Sequence, residues 1–232
     1  MSIEKIGNYS SFKTRIRKDF RKIKFSKQEQ AYLEQYKSKA NYADRKPITW
    51  AMKRAVDVAS GLFGMIVTAP VLLASAIAIR SESRGPVLFK QKRIGKDGKP
   101  FNIYKLRTMY DDKANEGFNV LSPDDKRITK VGRVLRKYSI DEFPQFYNIF
   151  KGDMSLIGPR PITPYAHSEA KNFPEFAGRY AVKPGIKLKY GKIKSPEYRF
   201  SVEKDYIENW SPKKDIKTLF KVVKDVLTGN NY

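Results

Sequence analysis

Residues 58–79 read VASGLFGMIVTAPVLLASAIAI, without a single charged side chain. As a straight helix this run would be about 33 Å long, enough to cross a hydrocarbon core. A soluble helix rarely stays uncharged for so long, so the run reads as a membrane-inserted segment and decides the kind of fold to expect. Lys53 and Arg54 precede it and Arg80 and Arg84 follow it. Positive charge at both ends argues that both ends stay on the cytoplasmic side. Pro70 removes one helix hydrogen bond near the middle, and Gly61 and Gly64 add flexibility. The expectation is a bent, re-entrant helix broken at Pro70 that dips into one leaflet; a spanning helix with a proline kink is the alternative.

Outward from this segment the chain is polar. Residues 1–50 form a basic, partly amphipathic extension in which Phe12, Ile16, Phe20 and Ile23 recur at helical spacing between lysines and arginines. Such a stripe suits the surface of an anionic membrane. Residues 51–84 are assigned to the membrane-inserted helix, and 85–232 to a cytosolic catalytic domain. Within that domain, 87–94 and 100–106 read as strands joined by an Asp97-Gly98 turn. Residues 110–127 read as a loop, and 128–138 as a short amphipathic helix. A second helix starts near Ser139, either at a Ser139–Glu142 capping box or a few residues later because of Pro144, and ends near Gly152. In the last helix Ser211 is the N-cap and Pro212 opens the first turn. Its stripe of Ile216, Leu219, Phe220, Val223, Val226 and Leu227 is expected to be buried, and Gly229 closes it. The fold class is α+β: mainly helical, membrane-associated, with a small β-hairpin.

Forty-seven Lys and Arg against 24 Asp and Glu give a formal net charge of +23, which calls for an anionic partner. The uncharged run argues against nucleic acid and for a membrane surface or phosphorylated substrates. The chain has no cysteine and one histidine, His167. Thiol chemistry is excluded, and a histidine zinc site or a Ser-His-Asp system is disfavoured. Catalysis then falls to carboxylates, Lys/Arg, Ser/Thr or Tyr.

The adjacent acids Asp141 and Glu142 stand near a helix start, where the dipole favours their ionised forms. An ionised carboxylate can attack phosphorus, and its neighbour can help hold magnesium. Acids at such a position are also ordinary dipole-complementing residues. Their surroundings favour chemistry: Lys105, Arg107, Arg133, Arg136 and Arg160, the last between two prolines, are all phosphate-binding types. No Gly-rich nucleotide loop is present in the sequence.

These residues resemble the bacterial sugar transferases, the monotopic polyprenyl-phosphate phosphoglycosyl transferases that prime capsule, exopolysaccharide and O-antigen synthesis. The matching blocks run in order from Lys53-Arg54-Ala55-Val56-Asp57 through Lys105-Leu106-Arg107-Thr108-Met109. Arg136 to Gln145, Gly158-Pro159-Arg160-Pro161 and Lys183-Pro184-Gly185-Ile186 follow. The resemblance implies transfer of a sugar 1-phosphate from a UDP-sugar to a polyprenyl phosphate, with release of UMP. It implies Asp141 as covalent nucleophile, Glu142 as its partner at a Mg²⁺ site, and Lys105, Arg107, Arg136, Gln145 and Arg160 as substrate-binding residues. It places the protein at the cytoplasmic face of the cell membrane and leaves room for a homo-oligomer. A non-catalytic membrane-surface binding protein is the competing reading. Residues 187–193 are basic where relatives are often apolar, so no sugar preference carries over.

Overall fold

The structure is a computed structural model that describes residues 23–40, 47–110, 125–170, 172–187 and 195–228. The expected amphipathic stretch up to residue 22, most of the 110–127 loop, residues 188–193 and Gly229 lie outside the described residues.

Helix α1 (Lys27–Lys39) opens the described chain with a capping box between Ser26 and Glu29. Leu33 and Tyr36 enter the main core, where Gly178 lies so close to the Tyr36 ring that a Cβ would stand 2.3 Å from it. The basic extension thus contributes a packed helix that its polar composition hides.

Helix α2 (Pro47–Glu82) contains the apolar run and is long and apolar enough to cross a membrane. It continues through Pro70, which therefore interrupts one hydrogen bond without ending the helix. Its buried residues are Lys53, Asp57, Gly61, Gly64, Thr68, Ser75 and Ile79, one seam at spacings of three, four and seven residues. The large side chains face away: Phe63 is 68%, Leu73 66% and Ile77 65% exposed. This inverts the soluble pattern, with small and polar residues against protein and large apolar ones outward. Gly61 and Gly64 serve close packing, where flexibility was expected. A Cβ on Gly61 would lie 2.7 Å from the Phe150 backbone nitrogen, and one on Gly64 would enter the Phe146 ring.

Both ends of α2 are tied to the same body. At the start, Lys53 Nζ donates to Asp215 Oδ2 at 2.6 Å. Arg54 caps the carbonyls of Ile149 and Phe150, and the Asp57 carboxylate accepts from Ser155 Oγ and the Leu156 amide. At the far end, Ile79 packs with Leu106 and Leu135, and Glu82 accepts from the amides of Lys130 and Val131.

The hairpin forms as its sequence indicates. Strands β1 (Leu88–Ile94) and β2 (Pro100–Leu106) pair antiparallel from Leu88↔Leu106 to Ile94↔Pro100. Asp97 and Gly98 both take positive φ in the turn. Helix α3 (Lys130–Lys137) is capped by Thr129, and α4 (Gln145–Lys151) ends at Gly152 with φ 97°. Strand β3 (Ser155–Ile157) pairs in parallel with β4 (Gly185–Lys187), a junction that no local pattern announces. Helix α5 (Pro164–Glu169), a 3₁₀ segment (Pro174–Ala181) and α6 (Pro196–Glu208) complete the core around Phe176, Tyr180, Phe200 and Ile207.

Helix α7 (Pro212–Thr228) starts at Ser211 as expected, with the Ser211 hydroxyl accepting from the Lys214 amide. The described part of its stripe is not buried, and the side chains of Val226 and Leu227 lie outside that part. Ile216 is 55%, Phe220 72% and Val223 47% exposed, because Asp215 anchors the first turn and the body does not cover the stripe beyond it. Replacing Gly61 by Val should cost about 2 kcal/mol through overpacking, since the nearest atoms belong to the α4 backbone and cannot yield. Thermal unfolding of detergent-purified protein measures this.

Candidate active site

The segment from Tyr138 to Pro144 places the two carboxylates. Helix α3 stops at Tyr138, Ser139 turns left-handed at φ 54°, and Ile140–Glu142 form one 3₁₀ turn before α4. The capping box does not form: Ser139 makes no side-chain cap bond, and α4 begins only after Pro144, whose ring cannot sit deeper in a helix. Asp141 and Glu142 are both buried.

Lys105, near the end of β2, sets its Nζ 2.8 Å from Glu142 Oε1 and 3.7 Å from Asp141 Oδ2. Arg160 Nη2 reaches the same Glu142 oxygen. No hydrogen bond to the Asp141 carboxylate is recorded among the described residues. The two acids therefore differ in kind. Burial raises the Asp141 pKa above its ordinary value; Lys105 opposes this and Glu142 adds to it. Burial works against ionised Glu142 as well, yet Arg160 and Lys105 overcome it and hold the group well below the usual carboxylate range. The expected helix-start effect is thus outweighed at Asp141 by desolvation.

The Arg160 loop is gripped from behind. Its carbonyl accepts from Arg179 Nη2 at 2.6 Å and Arg199 Nη2 at 3.1 Å, and Arg93 Nη1 donates to the Pro161 carbonyl. Arg179 and Arg199 both pair with Glu203, which has no exposed surface. Burial, then Arg160 and Arg199, push Arg93 down to about 10, still charged at neutral pH. Asn148 holds α4 to the hairpin by accepting from the Tyr104 amide and donating to the Asn102 carbonyl. Sequence reasoning assigned none of these supports a role; the Arg199–Glu203 spacing of four on a helix was the one local signal.

The remaining expected residues spread around this centre. Arg136 donates to Thr108 Oγ1 and acts on Asp141 electrostatically. Gln145 is buried, and its Nε2 has no partner among the described residues. Arg107 donates to the carbonyls of Ser83, Arg84 and Gly85, holding the exit of α2. His167 lies against Phe25 and Tyr180 in the core, in line with a structural residue.

Magnesium fits this donor set. Both cations converge on Glu142 Oε1, leaving its Oε2 and the Asp141 carboxylate without a recorded bond among the described residues. Among the described residues no third acid or histidine joins them there. Two carboxylates completed by substrate phosphates are an ordinary magnesium arrangement.

Residues 48–229 match the family model described as bacterial sugar transferase, and the chain belongs to that family. It is 38% identical over 191 residues to a UDP-N-acetylgalactosamine-undecaprenyl-phosphate N-acetylgalactosaminephosphotransferase of Aeromonas hydrophila, covering 79% of this chain and 45% of that protein. It is 40% identical over 189 residues to a UDP-glucose:undecaprenyl-phosphate glucose-1-phosphate transferase of Caulobacter vibrioides, covering 77% and 71%. It is also 40% identical over 187 residues to the uncharacterized sugar transferase EpsL of Bacillus subtilis, covering 77% and 88%. The chain thus spans less than half of the Aeromonas protein.

Replacing Glu203 by Gln should destabilise the fold by about 3 kcal/mol, because two arginines lose a buried counter-charge. Denaturant unfolding in detergent measures the loss.

Proposed function

We propose that this protein transfers a sugar 1-phosphate from a UDP-sugar to a polyprenyl phosphate at the cytoplasmic face of the cell membrane, initiating exopolysaccharide or capsule synthesis. Family membership and the reactions named for the relatives support the substrate classes. The observation that carries the reading is the asymmetry of the acid pair: Glu142 clamped by Lys105 and Arg160, and Asp141 beside it without a hydrogen bond among the described residues.

In this reading an Asp141 oxygen attacks the phosphorus that bears the sugar. The new P–O bond forms as the bond to the bridging oxygen breaks, and UMP leaves with that electron pair. An oxygen of the polyprenyl phosphate then attacks the same phosphorus, and the Asp141 carboxylate leaves, giving the polyprenyl-diphosphate sugar. Lys105 and Arg160 hold Glu142 ionised and orient the donor diphosphate, aided by the positive field of Arg93 and Arg136. Magnesium, when bound, supplies positive charge to the diphosphate oxygens. Arg107 shapes the acceptor side by fixing residues 83–85, and Gln145 offers an amide to substrate.

The membrane part of the proposal is a re-entrant α2. The helix is continuous through Pro70, so the reading rests on the ties that hold both of its ends to one body, together with the outward face of Phe63, Leu73 and Ile77. The exposed stripe of α7, flanked by Lys213, Lys217, Lys221 and Lys224, suits the adjoining headgroup region.

Replacing Asp141 by Asn should abolish UMP release from UDP-sugar and polyprenyl phosphate, with an unchanged unfolding midpoint; retained turnover would remove Asp141 as the nucleophile. Replacing Arg160 by Ala should lower donor kcat/KM about 10²-fold, as for loss of one preorganised charged donor. Activity should fall as pH drops through the raised Asp141 pKa, at higher pH than for a free aspartate near about 3.9. Glu142 stays ionised over that range, so the acid limb should have a logarithmic slope of one. A slope of two would mean that both acids titrate together.

A further inference from the structure

A second cationic site stands apart from the acid pair. A small, open cleft lies at the polar start of α2, lined chiefly by Trp50, Lys53, Arg54, Asp57, Lys96 and Lys183. It shares no lining residue with the contacts of Asp141 and Glu142. Arg54 places it at the carboxyl end of α4, whereas the acid pair precedes the amino end.

The fixed charges of this cleft are held by the body. Lys53 is paired with Asp215, Arg54 lies on two carbonyls, and Asp57 is engaged by Ser155 and Leu156. Lys183 differs. It is partly buried, and no ion pair or hydrogen bond of its side chain is recorded among the described residues. Desolvation lowers its pKa, with Arg54 and Lys96 adding to the effect and Asp57 opposing it. An ammonium so placed, with an arginine and a lysine nearby, calls for an anion from outside the protein.

The position names the kind of anion. The uncharged run begins at Val58, directly after Asp57, and Trp50 stands at the rim, 42% exposed. Tryptophan and basic side chains just outside an apolar run mark the headgroup level of a bilayer. We propose that this cleft binds the phosphate of an anionic phospholipid headgroup, received by Lys183, Arg54 and Lys96 against the Trp50 ring. The inference rests on the membrane-inserted reading of α2. The bound lipid would fix the depth and rotation of the helix start relative to the catalytic body.

Native mass spectrometry of the detergent-purified full chain tests this with phosphatidylglycerol and phosphatidylcholine as probes. The expected result is one retained phosphatidylglycerol per chain, preferred over phosphatidylcholine. Lys183→Gln should weaken that binding about fivefold, near 1 kcal/mol per basic residue at a membrane surface. Lys183→Arg should restore it, and the transfer reaction in detergent should keep its donor KM in both variants. Lys96→Gln provides a second charge-removal variant should Lys183→Gln fail to fold. Equal lipid binding by wild type and a folded charge-removal variant overturns the proposal, as does a lack of headgroup preference. Displacement of the lipid by millimolar inorganic phosphate or by UDP overturns it too, and assigns the cleft to free phosphate or to nucleotide. Failure of the membrane reading is seen separately, as release of wild-type protein from membranes by high salt without detergent.

Discussion

The buried carboxylate of Asp57 is the tie on which the rest of the molecule depends. A charge carried one residue before an uncharged run is costly unless its oxygens are bonded. Here one oxygen takes both the Ser155 hydroxyl and the Leu156 amide. Those two residues begin β3, which pairs with β4 and leads directly into the loop carrying Arg160. Arg160 in turn reaches Glu142. One short chain of contacts therefore links the apolar helix to the reactive acids, so the level of the helix sets the level of the site.

The same constraint accounts for the inverted surface of α2. A helix that must lie against α4 needs small residues there, and Gly61 and Gly64 let the Phe150 backbone and the Phe146 ring approach. The large apolar side chains are left for the other faces, where in water they would be a liability. In lipid they need no protein cover, and the ties at Lys53, Asp57 and Glu82 satisfy the polar groups that remain with the body.

At the acid pair, unequal surroundings divide the work between two similar groups. Lys105 and Arg160 meet on one oxygen of Glu142, which holds that acid ionised in spite of its burial. Asp141 has Lys105 at 3.7 Å and feels Arg136 and Arg160 only through space among the described residues, and desolvation raises its pKa. The arginines behind Arg160 keep the clamp in register through its carbonyl, a task that leaves its guanidinium facing Glu142.

Local pattern decided much of this on its own. The uncharged run, the Asp97-Gly98 hairpin, the Ser211 helix start and the adjacent acids are all written in neighbouring residues, because each depends on local sterics, capping or side-chain chemistry. The ordered family blocks implied that Lys105, Arg107, Arg136, Gln145 and Arg160 serve the same substrate as the acids. Tertiary structure alone decided which face of each helix is covered. Periodicity defines a stripe but not what lies against it: the apolar stripe of α7 stands open, while on α2 it is the small and polar seam that is buried. It also decided which charges meet, such as Arg179 with Glu203 or Lys105 with Glu142, since ion pairs between elements leave no local trace. The sequence by itself determined that this chain carries a long uncharged apolar run and a carboxylate pair rich in basic neighbours. Only packing determined that Arg107 holds backbone, that Glu142 is clamped and that Asp141 is left open, because distance and desolvation exist only once the chain is folded.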